Sequence, residues 1–285
     1  MKKFSICIPN YNYEKYIGET IESVLNQDMF DYNIYMSDNK SDDDSISIIK
    51  NYSKKFDSIF YKINPVNIGF SANLDSAASM ADSKWIITLS SDDKMKKNSL
   101  STYDKFINTF DSNEKFAFSS TFEKIDEKGR SVGFIGPNSK LWLDADIDET
   151  LSKKIGFNIY KVSSKEMFKR CAISYNNPFN FAATCFQKDN YIEIGGYLGG
   201  RIYNPDKWFH WRLLNVVDYV YFLDKPLFEY RWHDSNQVSI QSNTKVLRYW
   251  IDEYRNSFEL DNNFLKNFGL DKDAMIKNYN ALISK

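Results

Sequence analysis

Length, composition and charge exclude several classes of protein before any motif is considered. The chain has 285 residues, of which 42% are hydrophobic and 16% aromatic, so a sizeable core can form and global disorder is excluded. Its 37 basic and 38 acidic residues give a formal net charge of −1. This balance offers no basic excess for nucleic acid, and no nucleic-acid partner is predicted.

Cysteine usage and hydropathy point to a reducing, aqueous compartment. Cys7, Cys171 and Cys185 are an odd number of scattered thiols without metal-ligand spacing. No stretch approaches the length of a membrane span, and the apolar run from Phe4 to Ile8 is too short for a signal sequence. We therefore expect a cytoplasmic protein; a peripheral position on the inner face of the membrane stays open.

The first hundred residues alternate between short apolar runs and amphipathic stretches. Phe4 to Ile8 is predicted as a buried strand that ends at Pro9, and apolar residues from Ile17 to Leu25 share one helical face. Further strands are predicted over 33–36, 58–63 and 85–89, with helices over 45–56 and 71–81 between them. This alternation predicts an α/β fold with a mostly parallel sheet and helices on both faces.

Beyond residue 112 the pattern becomes more typical of antiparallel strands. A hairpin is predicted over 116–135, and Ser163 and Glu166 have the spacing of a capping box at the start of a helix. Another helix is predicted over 205–215. From Thr244 onward, two stripes of apolar residues predict a C-terminal helical extension.

Each predicted strand of the first half is followed by a polar loop. The loops are Pro9-Asn10-Tyr11-Asn12, Ser37 to Asp42, Asn64 to Gly69 and Ser90-Ser91-Asp92-Asp93. Because ligands of such sheets bind at the carboxyl ends of the strands, the four loops are expected to form one site. Adjacent carboxylates such as Asp92 and Asp93 suit a divalent cation.

This ordered set of segments resembles the inverting GT-A glycosyltransferases of family 2, which transfer a sugar from a nucleotide-activated donor. The similarity is carried by Ser5 to Asn12, Tyr16 to Gln27, Ser37 to Asp43, Asn67 to Phe70 with Asn73, Leu89 to Asp93, Gly195-Gly196-Tyr197 and Pro205-Asp206-Lys207-Trp208. It implies a Rossmann-like GT-A domain over 1–235, divided into a nucleotide-binding half (1–110) and an acceptor half (111–235). The helical extension would then occupy 236–285.

The resemblance implies a nucleotide-sugar site drawn from all four strand ends: Pro9, Asn10, Tyr11, Asp38, Asn67, Gly69 and Asp92. Asp38 is expected to accept a proton from a uracil-type base, and an ordinary turn aspartate is its alternative role. Gly69 would permit close approach of the diphosphate. Family members often carry an arginine near Asn73.

A divalent cation, Mn²⁺ or Mg²⁺, is the implied cofactor. Its expected ligands are Asp93, Asp92 and His233, with Asp93 favoured as the metal carboxylate and Asp92 for the ribose or the metal shell. Capping of the helix that begins near Ser99 is the alternative for the acidic pair. His233 lies where members often place a histidine against diphosphate or metal, and a structural role is its alternative.

Inversion requires a general base that deprotonates the acceptor hydroxyl as its oxygen attacks the anomeric carbon. The resemblance assigns this role to Asp206, with Pro205 in place of the first acid of the family's usual pair. A helix N-terminal aspartate is the alternative. His210 is expected in packing or on the acceptor side, and Trp208 and Trp211 either stack on sugars or pack in the core.

The resemblance, with these residues in place, implies a metal-assisted inverting hexosyltransferase. Its donor would be a nucleotide diphosphate sugar, with UDP favoured, and its acceptor a hydroxyl group of a glycan, lipid-linked or glycoprotein substrate. The setting would be synthesis of cell-surface polysaccharide or glycoprotein glycans. A sugar nucleotidyltransferase and an inactive nucleotide-sugar-binding scaffold are the alternatives, and a homo-oligomeric state stays open.

Overall fold

The computed structural model describes residues 2–174, 176–197 and 205–233; the predicted extension over 236–285 lies outside them. The strands within these ranges are β1 (Phe4–Asn10), β2 (Tyr32–Asp38), β3 (Ile59–Ile63), β4 (Trp85–Thr88), β5 (Lys94–Met95), β6 (Phe116–Ile125), β7 (Ser131–Ile135), β8 (Ile159–Ser163), β9 (Cys185–Gln187) and β10 (Tyr219–Arg231). The helices are α1 (Glu14–Leu25), α2 (Ser45–Lys55), α3 (Phe70–Ser79), α4 (Ser99–Ile107), α5 (Glu149–Ile155), α6 (Ser164–Ser174), α7 (Lys188–Glu193) and α8 (Pro205–Leu213).

All ten strands belong to one sheet, in the order β3-β2-β1-β4-β9-β6-β10-β5, with β7 paired to β6 and β8 to β10. The first four strands in the sheet are parallel. Strand β9 is antiparallel to both β4 and β6 and so joins the two predicted halves. The predicted α/β architecture is confirmed, and the antiparallel character of the second half is present in the hairpin of β6 and β7.

Alternation along the central strands creates a separate core on each face of the sheet. In β1, Ile6 and Ile8 contribute to one core, whereas Cys7 between them contributes to the other. The first core is covered by α1, α2 and α4, and the second by α3, α6 and α8. Burial of apolar residues on both faces is typical of a sheet enclosed between helical layers.

Strand β1 continues through Pro9, where the sequence predicts its end. The backbone O of Asn10 accepts a hydrogen bond from Asn39 N over 2.9 Å on the β2 side. The backbone N–H and C=O groups of successive strand residues point to alternate edges of the strand. The backbone N of Pro9 therefore points toward β4, whose pairing with β1 stops at Cys7 and Thr88. The missing N–H of Pro9 therefore costs no ladder bond, and the strand carries Asn10 into the site.

Other predicted boundaries differ by a few residues. Helix α8 ends at Leu213, two residues before the predicted end, and β10 extends over 13 residues. At the start of α6, Glu166 N donates to Ser163 Oγ over 3.3 Å, which is one of the two bonds of the predicted capping box. Among the helices of the described ranges, none has the length and apolar character needed to cross a bilayer.

Candidate active site

A hydrogen-bonded cluster of Asn10, Asp38 and Ser41 occupies the ends of β1 and β2. Asn10 Nδ2 donates to Asp38 Oδ2 over 2.8 Å. Ser41 donates from its backbone N to Oδ1 over 2.8 Å and from its hydroxyl to Oδ2 over 2.7 Å. The bond from Ser41 N is the turn interaction that the sequence offered as the alternative role of Asp38, so the carboxylate shapes this turn within the predicted base site.

The orientation of the Asn10 amide follows from the carboxylate beside it. Because an ionised carboxylate only accepts, Asn10 must direct its nitrogen toward Asp38. Asn10 is 1% exposed, and its Oδ1 has no hydrogen-bond partner among the residues that the structure describes. Pro9 and Asn10 are thus buried at the end of β1, whereas the Tyr11 side chain is 41% exposed.

The loop after β3 is joined to the loop after β2 by side-chain amides. Asn39 Nδ2 donates to Asn67 Oδ1 over 2.8 Å, and Gly69 N donates to the same oxygen over 2.9 Å. Gly69 has a φ of 85°, a backbone conformation that would be strained in a residue with a side chain. Asn73 donates from Nδ2 to the backbone O of Asn10 over 3.1 Å, so this position ties α3 to β1.

The acidic pair lies in the loop after β4 and contacts the end of β10 and the residues that follow it. His233 Nε2 lies 2.9 Å from Asp92 Oδ2. Asp93 Oδ1 accepts a hydrogen bond from the backbone N of Arg231 over 2.9 Å. Helix α4 is preceded by Asn98 as its N-cap, so helix capping does not account for either carboxylate.

The two carboxylates have different environments. Asp93 is 1% exposed and Asp92 7%. Burial, together with the charge of Asp92, raises the pKa of Asp93 well above its ordinary value, although the Arg231 N–H bond opposes this shift. Asp92 is therefore the more accessible carboxylate of the pair, and it is the one in contact with His233.

Arg231 fixes the acidic loop from the opposite side. Its side chain is 1% exposed, its Nε donates to the backbone O of Asp92 over 3.0 Å, and its Nη2 lies 2.7 Å from Glu19 Oε2 on α1. The guanidinium also lies 4.7 Å from the ring centroid of Tyr16. No sequence motif marks Arg231, because its partners lie more than a hundred residues away along the chain.

Asp206 lies in the first turn of α8, next to two further polar side chains. Asn177 Nδ2 donates to Asp206 Oδ2 over 2.8 Å, and His210 Nδ1 lies 2.7 Å from Asn177 Oδ1. Burial raises the pKa of Asp206, and the nearby Lys207 ammonium and the Asn177 bond counteract that shift. His210 is fully buried, and burial lowers its pKa to about 3. Asn177 belongs to none of the motifs in the sequence, and only the structure places it beside Asp206.

The Gly195-Gly196-Tyr197 motif is held by Asp75 of α3. Asp75 Oδ1 accepts from Tyr191 Oη over 2.6 Å and from the backbone N of Tyr197 over 2.8 Å. Gly196 has a φ of 70°, and a Cβ at this position would lie 2.4 Å from Asp75 Oδ1. Only glycine fits this close approach.

The sequence left open whether Trp208 and Trp211 stack on sugars or pack in the core, and their burial decides this. Trp211 is fully buried in the core and donates from Nε1 to the backbone O of Asn176 over 3.2 Å, and Trp208 is 8% exposed. Both therefore belong to the core in this structure. Lys94 on β5 forms an ion pair with Glu229, with Nζ 2.7 Å from Oε2.

The fold and the site define the class of the protein: a GT-A domain with acidic and amide side chains gathered at the carboxyl ends of its parallel strands. The profile of Glycosyl transferase family 2 matches residues 5–163, more than half of the chain. The chain therefore belongs to Glycosyl transferase family 2.

Curated relatives align with part of the chain. It is 32% identical over 103 residues to the GalNAc(5)-diNAcBac-PP-undecaprenol beta-1,3-glucosyltransferase of Campylobacter jejuni. The aligned segment covers 36% of this chain and 33% of that protein. The chain is 32% identical over 108 residues to the abequosyltransferase RfbV of Salmonella typhimurium, covering 37% and 32%. The aligned segment thus spans about a third of the length of these relatives.

Among solved structures, the chain is similar to Staphylococcus aureus TarS 1-349 in complex with UDP-GlcNAc. The TM-score is 0.70 with 18% sequence identity, and the match covers 97% of this chain and 70% of that one. At this identity the likeness establishes the fold, and it confirms the predicted GT-A architecture.

Proposed function

We propose that the chain transfers a hexose-type sugar from a UDP-linked donor to a hydroxyl group of a lipid-linked or polymeric glycan acceptor, with inversion at the anomeric carbon. The observation that carries the proposal is that Asp38 ends β2 and Asp92 follows β4, the two strands that flank β1 in the sheet, with His233 Nε2 2.9 Å from Asp92 Oδ2. Relatives named for transfer to an undecaprenol-linked glycan and to poly(ribitol-phosphate) support such acceptors. The UDP-GlcNAc complex of the similar TarS structure supports the donor class.

The donor nucleotide would lie along the strand ends. Asp38 would accept the imide proton of the base, and the unpartnered Oδ1 of Asn10 offers a second buried acceptor close by. Pro9 and Tyr11 would form the wall around base and ribose. The loop of Asn67 and Gly69 would face the diphosphate.

Asp92, His233 and Asp93 would hold a divalent cation, Mn²⁺ or Mg²⁺. The donor set fits in part, because a carboxylate oxygen and an imidazole nitrogen already lie 2.9 Å apart and phosphate oxygens and water would complete the shell. No cluster of three acidic, histidine or cysteine ligands occurs in the described residues. When bound, the cation would neutralise charge on the departing diphosphate.

Asp206 would act as the general base. The acceptor hydroxyl gives its proton to the carboxylate while its oxygen forms the new bond to the anomeric carbon. The bond between that carbon and the phosphate oxygen breaks, and UDP leaves with the electron pair. Burial raises the pKa of Asp206, which makes its carboxylate a stronger base than an exposed aspartate.

Product analysis tests the proposal directly. The chain is incubated with UDP-sugars, Mn²⁺ and glycan acceptors, and UDP and extended acceptor are expected in equal amounts. A nucleotidyltransferase would instead form or consume pyrophosphate, and an inactive scaffold would bind UDP without turnover. Either outcome would overturn the proposed activity.

The cation is tested by calorimetry of UDP binding with Mn²⁺ or with a chelator. Tighter binding with Mn²⁺ is expected, and Asp92→Asn should reduce that gain. Equal affinities in both conditions would remove the metal from the proposal.

The base is tested by Asp206→Asn, which keeps the size of the side chain but cannot take the proton. Transfer is expected to fall by about two to four orders of magnitude with little change in UDP affinity. Asp218→Asn is the matched control, because Asp218 is exposed and lies just before β10. A wild-type rate in Asp206→Asn would show that another group is the base.

A further inference from the structure

We propose that Asn177 and His210 are positioning residues that fix the orientation of the Asp206 carboxylate. This inference rests on the proposed role of Asp206 as the general base. The three side chains form one chain of hydrogen bonds, with Asn177 between the carboxylate and the imidazole. Asn177 and His210 are not proposed to touch the substrate.

The direction of each bond in this chain follows from the carboxylate. An ionised Asp206 only accepts, so Asn177 must present its NH₂ group to Oδ2 over 2.8 Å. The amide oxygen of Asn177 then faces His210 Nδ1 over 2.7 Å, and this nitrogen must carry a hydrogen to form the bond. The arrangement therefore defines a single tautomer of His210, with the proton on Nδ1.

The rest of the His210 ring agrees with this tautomer. Its Nε2 is buried and has no hydrogen-bond partner among the described residues. An N–H group at this position would be an unsatisfied donor, so the nitrogen is better assigned as unprotonated. The ring contacts Phe179 and Phe209, at centroid distances of 5.2 and 5.9 Å. This apolar surrounding keeps the imidazole neutral, consistent with its lowered pKa of about 3.

The segment that carries Asn177 is anchored on both sides. Trp211 Nε1 donates to the backbone O of Asn176 over 3.2 Å, and Trp142 Nε1 donates to that of Pro178 over 3.0 Å. Two buried indole donors thus hold the backbone immediately before and after Asn177. An amide on such a fixed backbone can hold a partner in one geometry at low entropic cost.

The positioning has a chemical consequence. The bond from Asn177 to Oδ2 fixes the plane of the Asp206 carboxylate that would receive the proton of the acceptor hydroxyl. The Asn177 bond also favours the ionised form and so lowers the pKa of Asp206 against the effect of burial. Among the residues that the structure describes, Lys207 and the phenol of Tyr197 are the other titratable groups that interact with this carboxylate.

The first experiment compares Asn177→Leu with the exposed control Asn158→Leu. Loss of the amide is expected to lower kcat by about 10- to 100-fold while KM for the UDP-sugar changes by less than about two-fold. Because the bond to the ionised form is lost, the acidic limb of the kcat profile should move to higher pH. Unchanged kcat and an unchanged acidic limb would overturn the inference.

A second experiment separates positioning from packing at His210. Leucine preserves bulk but has no N–H, whereas asparagine is smaller and can place an N–H near the position of Nδ1. If His210 positions Asn177, His210→Asn should retain several-fold more activity than His210→Leu. If the ring only fills space, the leucine variant should be the more active, and the inference fails.

The tautomer gives a readout that needs no turnover. The chain contains only two histidines, so ¹⁵N spectra of the untagged protein labelled at histidine can be assigned with the His210→Asn variant. We expect His210 protonated at Nδ1 alone; protonation at Nε2 would overturn the inference even if Asn177→Leu fails to fold. Should Asp206→Asn retain full activity while the tautomer is as expected, the proposed base would be wrong and the hydrogen-bonded chain would stand as structural.

Discussion

At the scale of single residues, four carboxylates of the site are distinguished by their neighbours. Asp38 accepts from an amide and a serine, Asp92 contacts an imidazole, Asp93 accepts from a backbone N–H, and Asp206 accepts from an asparagine amide. Because the charge, solvation and hydrogen bonding of a carboxylate decide its chemistry, the same residue type can serve four different tasks here.

Replacing Asp38 by asparagine tests base recognition. The amide cannot accept from both sides, so one of the buried donors of Asn10 or Ser41 would lose its partner. We expect UDP to bind about ten-fold or more weakly and its advantage over GDP to shrink, measured by competition binding. Asp42→Asn is the control because Asp42 is exposed. An unchanged preference for UDP would contradict the proposed role of Asp38.

Gly196→Ala tests the close approach at the glycine motif. The new Cβ would lie 2.4 Å from Asp75 Oδ1 on a backbone with a φ of 70°. A loss of about 1–3 kcal/mol in the free energy of unfolding is expected, measured by urea denaturation. Gly18→Ala is the control: this glycine lies within α1, its added Cβ would meet Tyr52 Oη at 3.9 Å, and the change should be neutral or stabilising. Equal stability of the two variants would contradict the steric argument.

At the scale of elements, the acidic loop after β4 is positioned by α1 and β10 together. Thr20 Oγ1 of α1 lies 2.9 Å from the backbone O of Ser91 and 2.8 Å from that of Asp93, and its one hydroxyl hydrogen is shared between these two acceptors. Arg231 at the end of β10 holds the same loop through the backbone of Asp92 and the side chain of Asp93. The geometry of the proposed metal site thus depends on two elements that are not adjacent to it in sequence.

Thr20→Val removes one of these anchors while keeping the shape of the side chain. The backbone oxygens of Ser91 and Asp93 lose a buried donor, so we expect a loss of about 1–3 kcal/mol in stability and weaker UDP binding in Mn²⁺. The control is Thr102→Val, whose hydroxyl bonds to Asn98 O within one turn of α4. If both variants bind UDP as tightly as wild type, α1 does not position the loop.

At the scale of the whole molecule, one continuous sheet carries both halves of the site. Strand β9 pairs with β4 of the first half and with β6 of the second. The loops proposed to bind the donor and Asp206 are thus built on a common framework, with a separate hydrophobic core on each face. Unfolding of either half is therefore expected to expose the other.

Burial of His210 makes the free energy of unfolding depend on pH. Its pKa is about 3 in the folded state against 6.5 ordinarily, so between these values the unfolded chain binds the proton that the folded chain excludes. The His210 contribution to stability is therefore lost as pH falls below about 6.5, by at most about 1.4 kcal/mol per pH unit. The raised pKa of Asp206 acts with the opposite sign at acidic pH.

Urea denaturation of wild type and His210→Leu from pH 7 to pH 5 isolates this contribution. The difference in unfolding free energy between the two proteins should change in favour of the variant as pH falls. A difference that is constant with pH would mean that His210 takes up its proton equally in both states.

The sequence alone determined the alternating architecture and the donor loops. Strand and helix periods are local patterns, and polar residues after strands such as β1, β2 and β4 mark their carboxyl ends within a few positions. The order of these segments also identified the family resemblance that the match over 5–163 confirms. Residues such as Asn10, Asp38 and Asp92 could be placed in the candidate site for the same reason.

Only the tertiary structure decided how the second half completes the site. The contacts of Arg231 with Asp92 and Asp93 join residues 139 and 138 positions apart in sequence. Asn177, in the segment after α6, bonds to Asp206 of α8, which lies 29 positions away. The insertion of β9 between β4 and β6 likewise follows from pairing between distant segments. Such partners are chosen by packing and hydrogen-bond satisfaction in three dimensions, which leave no periodic signal along the chain.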